Sequence, residues 1–201
     1  MFVTFEGPEG SGKSTALKAI ADKLRSEGRE VVTTREPGAG EVGKAIREIL
    51  LHGESLDPKA ELFLFLADRA QHGASLIRPA LAEGKIVLCD RYIDSTVAYQ
   101  GHARGLDVEE LRELNAKATR GLKPDLTLLF DLDVEIGLSR LQDADRLDKE
   151  PIEFHQKVRD GYLKEMAHEP ARFKKINASQ PADRVVDECW EALSSSPTFL
   201  G

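Results

Sequence analysis

The chain has 201 residues, 41% hydrophobic and 31% charged, with a formal net charge of −7; that suits one globular α/β domain with a sizeable core and argues against a surface built for nucleic acid, which usually shows a basic stripe. No apolar run approaches the ~20 residues that span a bilayer, and Cys89 and Cys189 make neither a metal-ligand cluster nor a disulfide framework. A strand that begins at residue 2 leaves no room for a signal peptide, so the expectation is a cytoplasmic enzyme.

Phe2-Val3-Thr4-Phe5-Glu6 alternates bulky and polar residues as a strand does. It runs into Gly7-Pro8-Glu9-Gly10-Ser11-Gly12-Lys13-Ser14-Thr15, where Gly7, Gly12, Lys13 and Ser14 fill the P-loop pattern. The following helix, near residues 13–27, buries Leu17, Ile20, Ala21 and Leu24 on one face and stops at Gly28. In that strand–loop–helix setting, backbone N–H groups converge on phosphate oxygens at a helix N-terminus. Lys13 adds charge for the β- and γ-phosphates, and the Ser14 hydroxyl is placed to reach Mg²⁺. A nucleoside triphosphate is the implied ligand.

Residues 30–34 read as a second strand, followed by the turn-rich Arg35-Glu36-Pro37-Gly38-Ala39-Gly40. The next helix has Val42, Ala45, Ile46, Ile49 and Leu50 as its apolar face. Another starts at Asp57-Pro58, a capping residue before a proline suited to the first helical position; it carries Leu62, Phe65, Leu66 and Arg69 on one side. Residues 85–90 and 126–132 are short apolar runs that fit buried parallel strands, with Cys89 a buried thiol and a helix over 108–120 between them. A helix over 134–141, a polar segment over 142–151, and a long helix with Phe154, Val158, Gly161 and Met166 at helical spacing come next. A last strand near 172–177 precedes a final helix bearing Ala182, Val185, Val186, Cys189 and Leu193. Such alternation calls for a parallel sheet with helices on both faces, and ligands in such folds sit outside the carboxyl ends of the strands. Glu6, Arg35-Glu36, Asp90-Arg91 and Asp131 fall at those ends.

Four groups accompany the P-loop, each with an ordinary reading when taken alone. Asp90-Arg91-Tyr92, with Ser95, Tyr99 and Gln100, offers a carboxylate for Mg²⁺ and a guanidinium for phosphoryl oxygens, or a surface ion pair. Arg35-Glu36-Pro37-Gly38 is otherwise a turn. Phe65 and Arg69, four apart on one helix face, offer a ring to stack on a base and a guanidinium for a carbonyl, or a core Phe with a snorkelling Arg. Arg140 with Asp145-Arg146-Leu147-Asp148 is otherwise a solvated loop. Around one P-loop and in this order, the ordinary readings lose ground.

In order, the chain reads Glu-Gly-x-Glu-Gly-x-Gly-Lys-Ser-Thr, Arg-Glu-Pro-Gly, Leu-Phe-x-Ala-Asp-Arg-Ala-Gln-His, Asp-Arg-Tyr-x-x-Ser-x-x-Ala-Tyr-Gln-Gly, Pro-Asp-Leu-Thr and Asp-Arg-Leu-Asp. This resembles bacterial-type thymidylate kinases along essentially the whole chain. The resemblance implies the P-loop nucleoside monophosphate kinase fold: a five-stranded parallel sheet in a single domain over 1–201, with a short lid about 140–151. It implies phosphoryl transfer from ATP to dTMP with Mg²⁺, by a homodimer. ATP falls to Gly7, Pro8, Glu9, Gly10, Ser11, Gly12, Lys13, Ser14, Thr15 and Arg140, and the metal to Ser14 and Asp90. Phe65 would stack on thymine, Arg69 read its carbonyl, and Gln100 hydrogen-bond the base. Tyr99 would pack by the deoxyribose, and Glu9 would accept from the 3′-hydroxyl. Glu36, Pro37, Arg47 and Ser95 complete the dTMP set, and Arg91 would hold the acceptor phosphate and the travelling group. Because Pro8, Glu9, Gly10 and Ser11 carry no base, the resemblance sends the closing cation to the lid, with Arg146 the candidate. Two departures stand out. The lid has only Arg140 upstream of Arg146, where relatives carry several arginines, and Gly38-Ala39-Gly40 replaces their Gly-Gly-Thr. Rival readings are a kinase for another monophosphate or a deoxynucleoside, and a nucleotide-switch GTPase. The GTPase would need Asn-Lys-x-Asp, and the nearest string, Asn115-Ala116-Lys117-Ala118-Thr119, lacks the Asp.

Overall fold

The computed structural model describes residues 1–143 and 145–200. Strands β1 (Phe2–Glu6), β2 (Val31–Arg35), β3 (Ile86–Asp90), β4 (Leu126–Asp131) and β5 (Phe173–Asn177) form one sheet in the order β2-β3-β1-β4-β5, all neighbours parallel. Each lies within a residue of its expected limits. β1 is central and every one of its residues is buried, as a parallel strand covered on both faces requires.

Helices α1 (Lys13–Ser26), α2 (Gly40–His52), α3 (Pro58–His72), α4 (Arg78–Ala82), α5 (Ile93–Thr96), α6 (Val108–Thr119), α7 (Val134–Ser139), α8 (Ile152–His168), α9 (Ala182–Ser194) and α10 (Pro197–Leu200) surround the sheet. Alternation along β1 splits the core. Val3 and Phe5 pack with Leu17, Ile20 and Leu24 of α1 and Val185, Cys189 and Leu193 of α9, while Phe2 joins Ile77, Val87, Cys89 and Tyr92. Asp57 caps α3 by accepting from Lys59 N at 2.9 Å, with Pro58 in the first turn, as its sequence foretells.

Two stretches without an expected element are helical. π-turns at Gly73–Ile77 and Val97–Ala103 continue α3 into α4 and extend α5. The second carries Tyr99 and Gln100, and α8 packs closely on it because residue 161 is glycine. A Cβ there would stand 2.9 Å from His102 Cδ2 and 3.0 Å from Ala98 Cα.

The expected apolar face of α2 proves to be two faces. Ile46 and Leu50 turn inward, whereas Val42 and Ile49 stand 52% and 48% exposed, as does Phe63 of α3 at 58%.

Candidate active site

The loop after β1 turns on glycines at positive φ, among them Gly10 at +66°. A Cβ on Gly10 would lie 1.9 Å from Gly137 O, and one on Gly137 would lie 2.4 Å from Glu9 O. The loop and α7 therefore touch through backbone alone, which only glycine at both places permits. Lys13 curls into the loop and donates to Gly7 O at 3.1 Å, Pro8 O at 2.8 Å and Ser11 Oγ at 3.3 Å. Burial, and then the positive charge of Arg91, lower its pKa to about 8. Ser14 Oγ, in the first turn of α1, donates to Asp90 Oδ2 at 2.6 Å. That pair of hard oxygen donors fits Mg²⁺, which takes one or two protein oxygens and completes its shell with phosphates and water. Among the described residues no group of three or more His, Cys, Asp and Glu side chains could hold a metal.

Arg91 follows β3 with φ at +68°, a region uncommon for a residue with a side chain and one that collects at functional sites. Its Nη1 donates to Gly7 O at 3.1 Å and Tyr162 OH at 2.8 Å, and its Nη2 to Glu9 Oε1 at 2.5 Å. The guanidinium also lies over the Tyr99 ring at 5.1 Å. Below it, fully buried Glu6 accepts from Tyr92 N at 2.7 Å, Ser95 Oγ at 2.6 Å and Tyr162 OH at 3.1 Å. Burial and the nearby Asp94 raise Glu6 to about 7. Burial would raise Glu9 too, but Arg91, Lys13 and the Tyr99 hydroxyl at 2.6 Å outweigh it and leave Glu9 at about 2.

Beside Arg91 lies a concave cavity of about 110 Å³ that opens to solvent, the shape expected of a small-molecule site. Every residue assigned to dTMP lines it: Glu9, Glu36, Pro37, Arg47, Phe65, Arg69, Arg91, Ser95, Tyr99 and Gln100. Arg69 is 1% exposed. It donates to Glu36 Oε2 (2.8 Å), Thr96 Oγ1 (2.5 Å), Asn115 Oδ1 (2.7 Å) and Tyr92 O (2.8 Å). Four of the five guanidinium N–H groups are thus committed, and one remains for a ligand. Glu36 is turned by His72, whose Nδ1 lies 2.8 Å from Oε1 and whose Nε2 meets Thr34 Oγ1 at 2.8 Å.

A second cavity opens over the P-loop, lined by residues from Glu9 to Thr15 with Arg35, Asp90, Arg91, Arg140 and Leu141. Gly7 and Pro8 lie beneath it and give their carbonyls to Lys13. Arg140 Nη1 donates to Gly10 O at 3.2 Å. Arg146 is not brought to the phosphates. Its Nε donates to Leu50 O at 2.8 Å, its Nη2 to Glu61 Oε2 at 2.6 Å, and it lines neither cavity. The cause is a turn: Asp145 Oδ1 accepts from Leu147 N at 2.8 Å and Asp148 N at 3.0 Å, burying Leu147 and sending Arg146 back onto α2 and α3.

Sequence reasoning placed Glu6 at a strand end without giving it a role, and it missed Glu61, Thr96, Asn115 and Tyr162 as site residues. Two had a signal: Glu61 precedes Phe65 and Arg69 on the same four-residue spacing, and Tyr162 lies four after Val158. Thr96 and Asn115 meet Arg69 only through the tertiary fold.

A family model described as thymidylate kinase matches residues 5–189. A thymidylate kinase of Desulfovibrio desulfuricans is 51% identical, covering 97% of this chain and 95% of the relative. One from Staphylococcus epidermidis is 47% identical, with 96% of each chain covered. The crystal structure of thymidylate kinase from Ehrlichia chaffeensis superposes with a TM-score of 0.81 at 35% identity, over 96% of this chain and 98% of that one.

Proposed function

This chain belongs to the thymidylate kinase family, and we propose that its two cavities divide between them the phosphorylation of dTMP to dTDP by ATP. The observation that carries this reading is their junction: Glu9, Glu36, Arg47 and Arg91 line both cavities. A donor polyphosphate over the P-loop and an acceptor monophosphate beside Arg91 would therefore meet end to end. Ser14 and Asp90 would hold Mg²⁺ beside the donor site, and the chemistry it would supply there is neutralisation of phosphate charge. Phosphoryl transfer asks for positioning and charge neutralisation, and an ionised phosphate oxygen is already the nucleophile, so a general base is not required. Lys13 holds the donor end, Arg91 spans both phosphates, and Arg140 replaces Arg146 as the lid-side cation over the donor. A deoxynucleoside would leave Arg91 and Arg47 without a phosphate to grip, and a GTPase switch would have no use for the acceptor cavity.

Phe65 is the base-stacking side chain in this reading. Phe65→Ala is expected to raise KM for dTMP by ~10-fold or more, in line with ~1–3 kcal/mol per stacked base, and to leave KM for ATP within about twofold. Equal changes in the two constants would return Phe65 to a core role.

The reading treats the chain as one kinase domain, with the segment about 140–151 as its lid, acting in the cytoplasm without nucleic acid. Among the described residues no helix is long and apolar enough to cross a membrane. Val42 and Ile49 of α2 and Phe63 of α3, a helix packed on it, are exposed large apolar side chains of the kind that interfaces cover, and they support a homodimer. Sedimentation equilibrium is expected to return twice the 22.2 kDa chain mass; a monomer at micromolar concentration contradicts it.

A further inference from the structure

Resting on the acceptor-site reading above, we propose that Glu61 is a positioning residue for base selection, fixing the Gln100 amide so that its carbonyl oxygen is presented to the base. Glu61 is 1% exposed on α3, one helical turn before Phe65. Its Oε1 accepts from Gln100 Nε2 at 2.9 Å, and its Oε2 accepts from Arg146 Nη2 at 2.6 Å. Arg104 closes the cluster at 3.4 Å. A carboxylate flanked by two guanidiniums stays ionised, and an ionised carboxylate only accepts. The –NH₂ arm of Gln100 is therefore held toward Glu61, because turning the amide would face two acceptors toward each other. Gln100 also lines the acceptor cavity, so Oε1 is the arm left for the ligand.

Arg69, with one donor uncommitted, lines the same cavity. One acceptor and one donor together match the edge of a pyrimidine that carries a ring N–H next to a carbonyl. Thymine and uracil have that edge. Cytosine presents a ring nitrogen acceptor and an amino group there, and would put acceptor against acceptor and donor against donor. Sites built to hydrogen-bond one pattern reject its mismatch strongly. In this arrangement Arg146 acts at a distance, holding Glu61 charged and aligned rather than touching phosphate.

The test is the ratio of kcat/KM for dTMP to that for dCMP. Wild-type turnover of dTMP is measured first, since its absence would remove the acceptor-site reading itself rather than the role of Glu61. Glu61→Gln lets either amide orientation pair, and the ratio is expected to fall at least ~10-fold while kcat for dTMP changes by less than about threefold. A general structural defect lowers both substrates together and leaves the ratio in place, which would overturn the proposal. Gln100→Ala and the double variant decide whether Glu61 acts through Gln100. In the Gln100→Ala background, Glu61→Gln is expected to leave the ratio unmoved; a further drop would also overturn it. Should Glu61→Gln fail to fold, Arg146→Ala serves instead. It is expected to lower the ratio and spare kcat, and a large loss of kcat at constant ratio would return Arg146 to the phosphates.

Discussion

Arg91→Ala is expected to lower kcat for dTMP by ~10³-fold or more, the scale of losing a cation that stabilises a travelling phosphoryl group. Arg91 stands where both cavities meet, and its guanidinium is pinned by Gly7 O, Tyr162 OH and Glu9. A group already oriented pays no reorganisation during the reaction, which is why such preorganised charge acts so strongly. Arg91→Lys is expected to recover little of the loss. An ammonium keeps the charge but not the planar fork that holds several partners at once. The backbone contributes no separate stability change, since alanine keeps the Cβ and with it the ~1–2 kcal/mol cost of a φ of +68°. Single-turnover phosphoryl transfer beside a thermal melt separates the two effects. A variant with normal single-turnover rate would place Arg91 outside the chemistry.

Lys13 gives the second large effect. Lys13→Ala removes the ammonium at the centre of the P-loop, and kcat/KM for ATP is expected to drop ~10²–10³-fold, as for loss of one preorganised donor in an enclosed site. The wild-type enzyme carries a pH signature of the same group. In the free enzyme burial and Arg91 hold Lys13 at about 8, and a bound polyphosphate favours its charged form and so raises that value. Below pH 8 the lysine is protonated before and after binding, and affinity is flat. Above pH 8 the free enzyme loses the proton that the complex keeps, so binding takes up a proton and affinity falls as pH rises, approaching tenfold per unit. Calorimetric titration of ATP in buffers of different ionisation enthalpy reads that uptake directly. No uptake at pH 9 would mean that Lys13 is charged in the free loop.

Strand positions and the P-loop were legible because each rests on local signals, apolar runs and a fixed glycine spacing; the acceptor residues came with the resemblance, and of these only Phe65 and Arg69 were also paired by a four-residue helical spacing. What was not legible depends on tertiary contact. The turn made by Asp145 has polar residues in a row and resembles a solvated loop, yet it buries Leu147 and sends Arg146 to Glu61. The choice of Arg146 followed from the resemblance, through a P-loop interior without a base and the Asp-Arg-Leu-Asp string in the lid, and side-chain direction in an irregular segment has no period to read. The apolar stripe of α2 shows the converse limit. Periodicity grouped Val42 and Ile49 with Ile46 and Leu50, but hydropathy does not say whether a face meets the chain's own core or stays exposed. Gly137 and Gly161 belong to the same category, small because backbone from elsewhere passes within contact.

The most direct test of the central claim is ADP formation by the purified enzyme with ATP and Mg²⁺, with dTMP, dUMP, dCMP, dGMP and UMP supplied in turn at matched concentration. The highest kcat/KM is expected with dTMP, with dCMP and dGMP far below it. Turnover of another monophosphate with none of dTMP would contradict the account and leave only the fold standing.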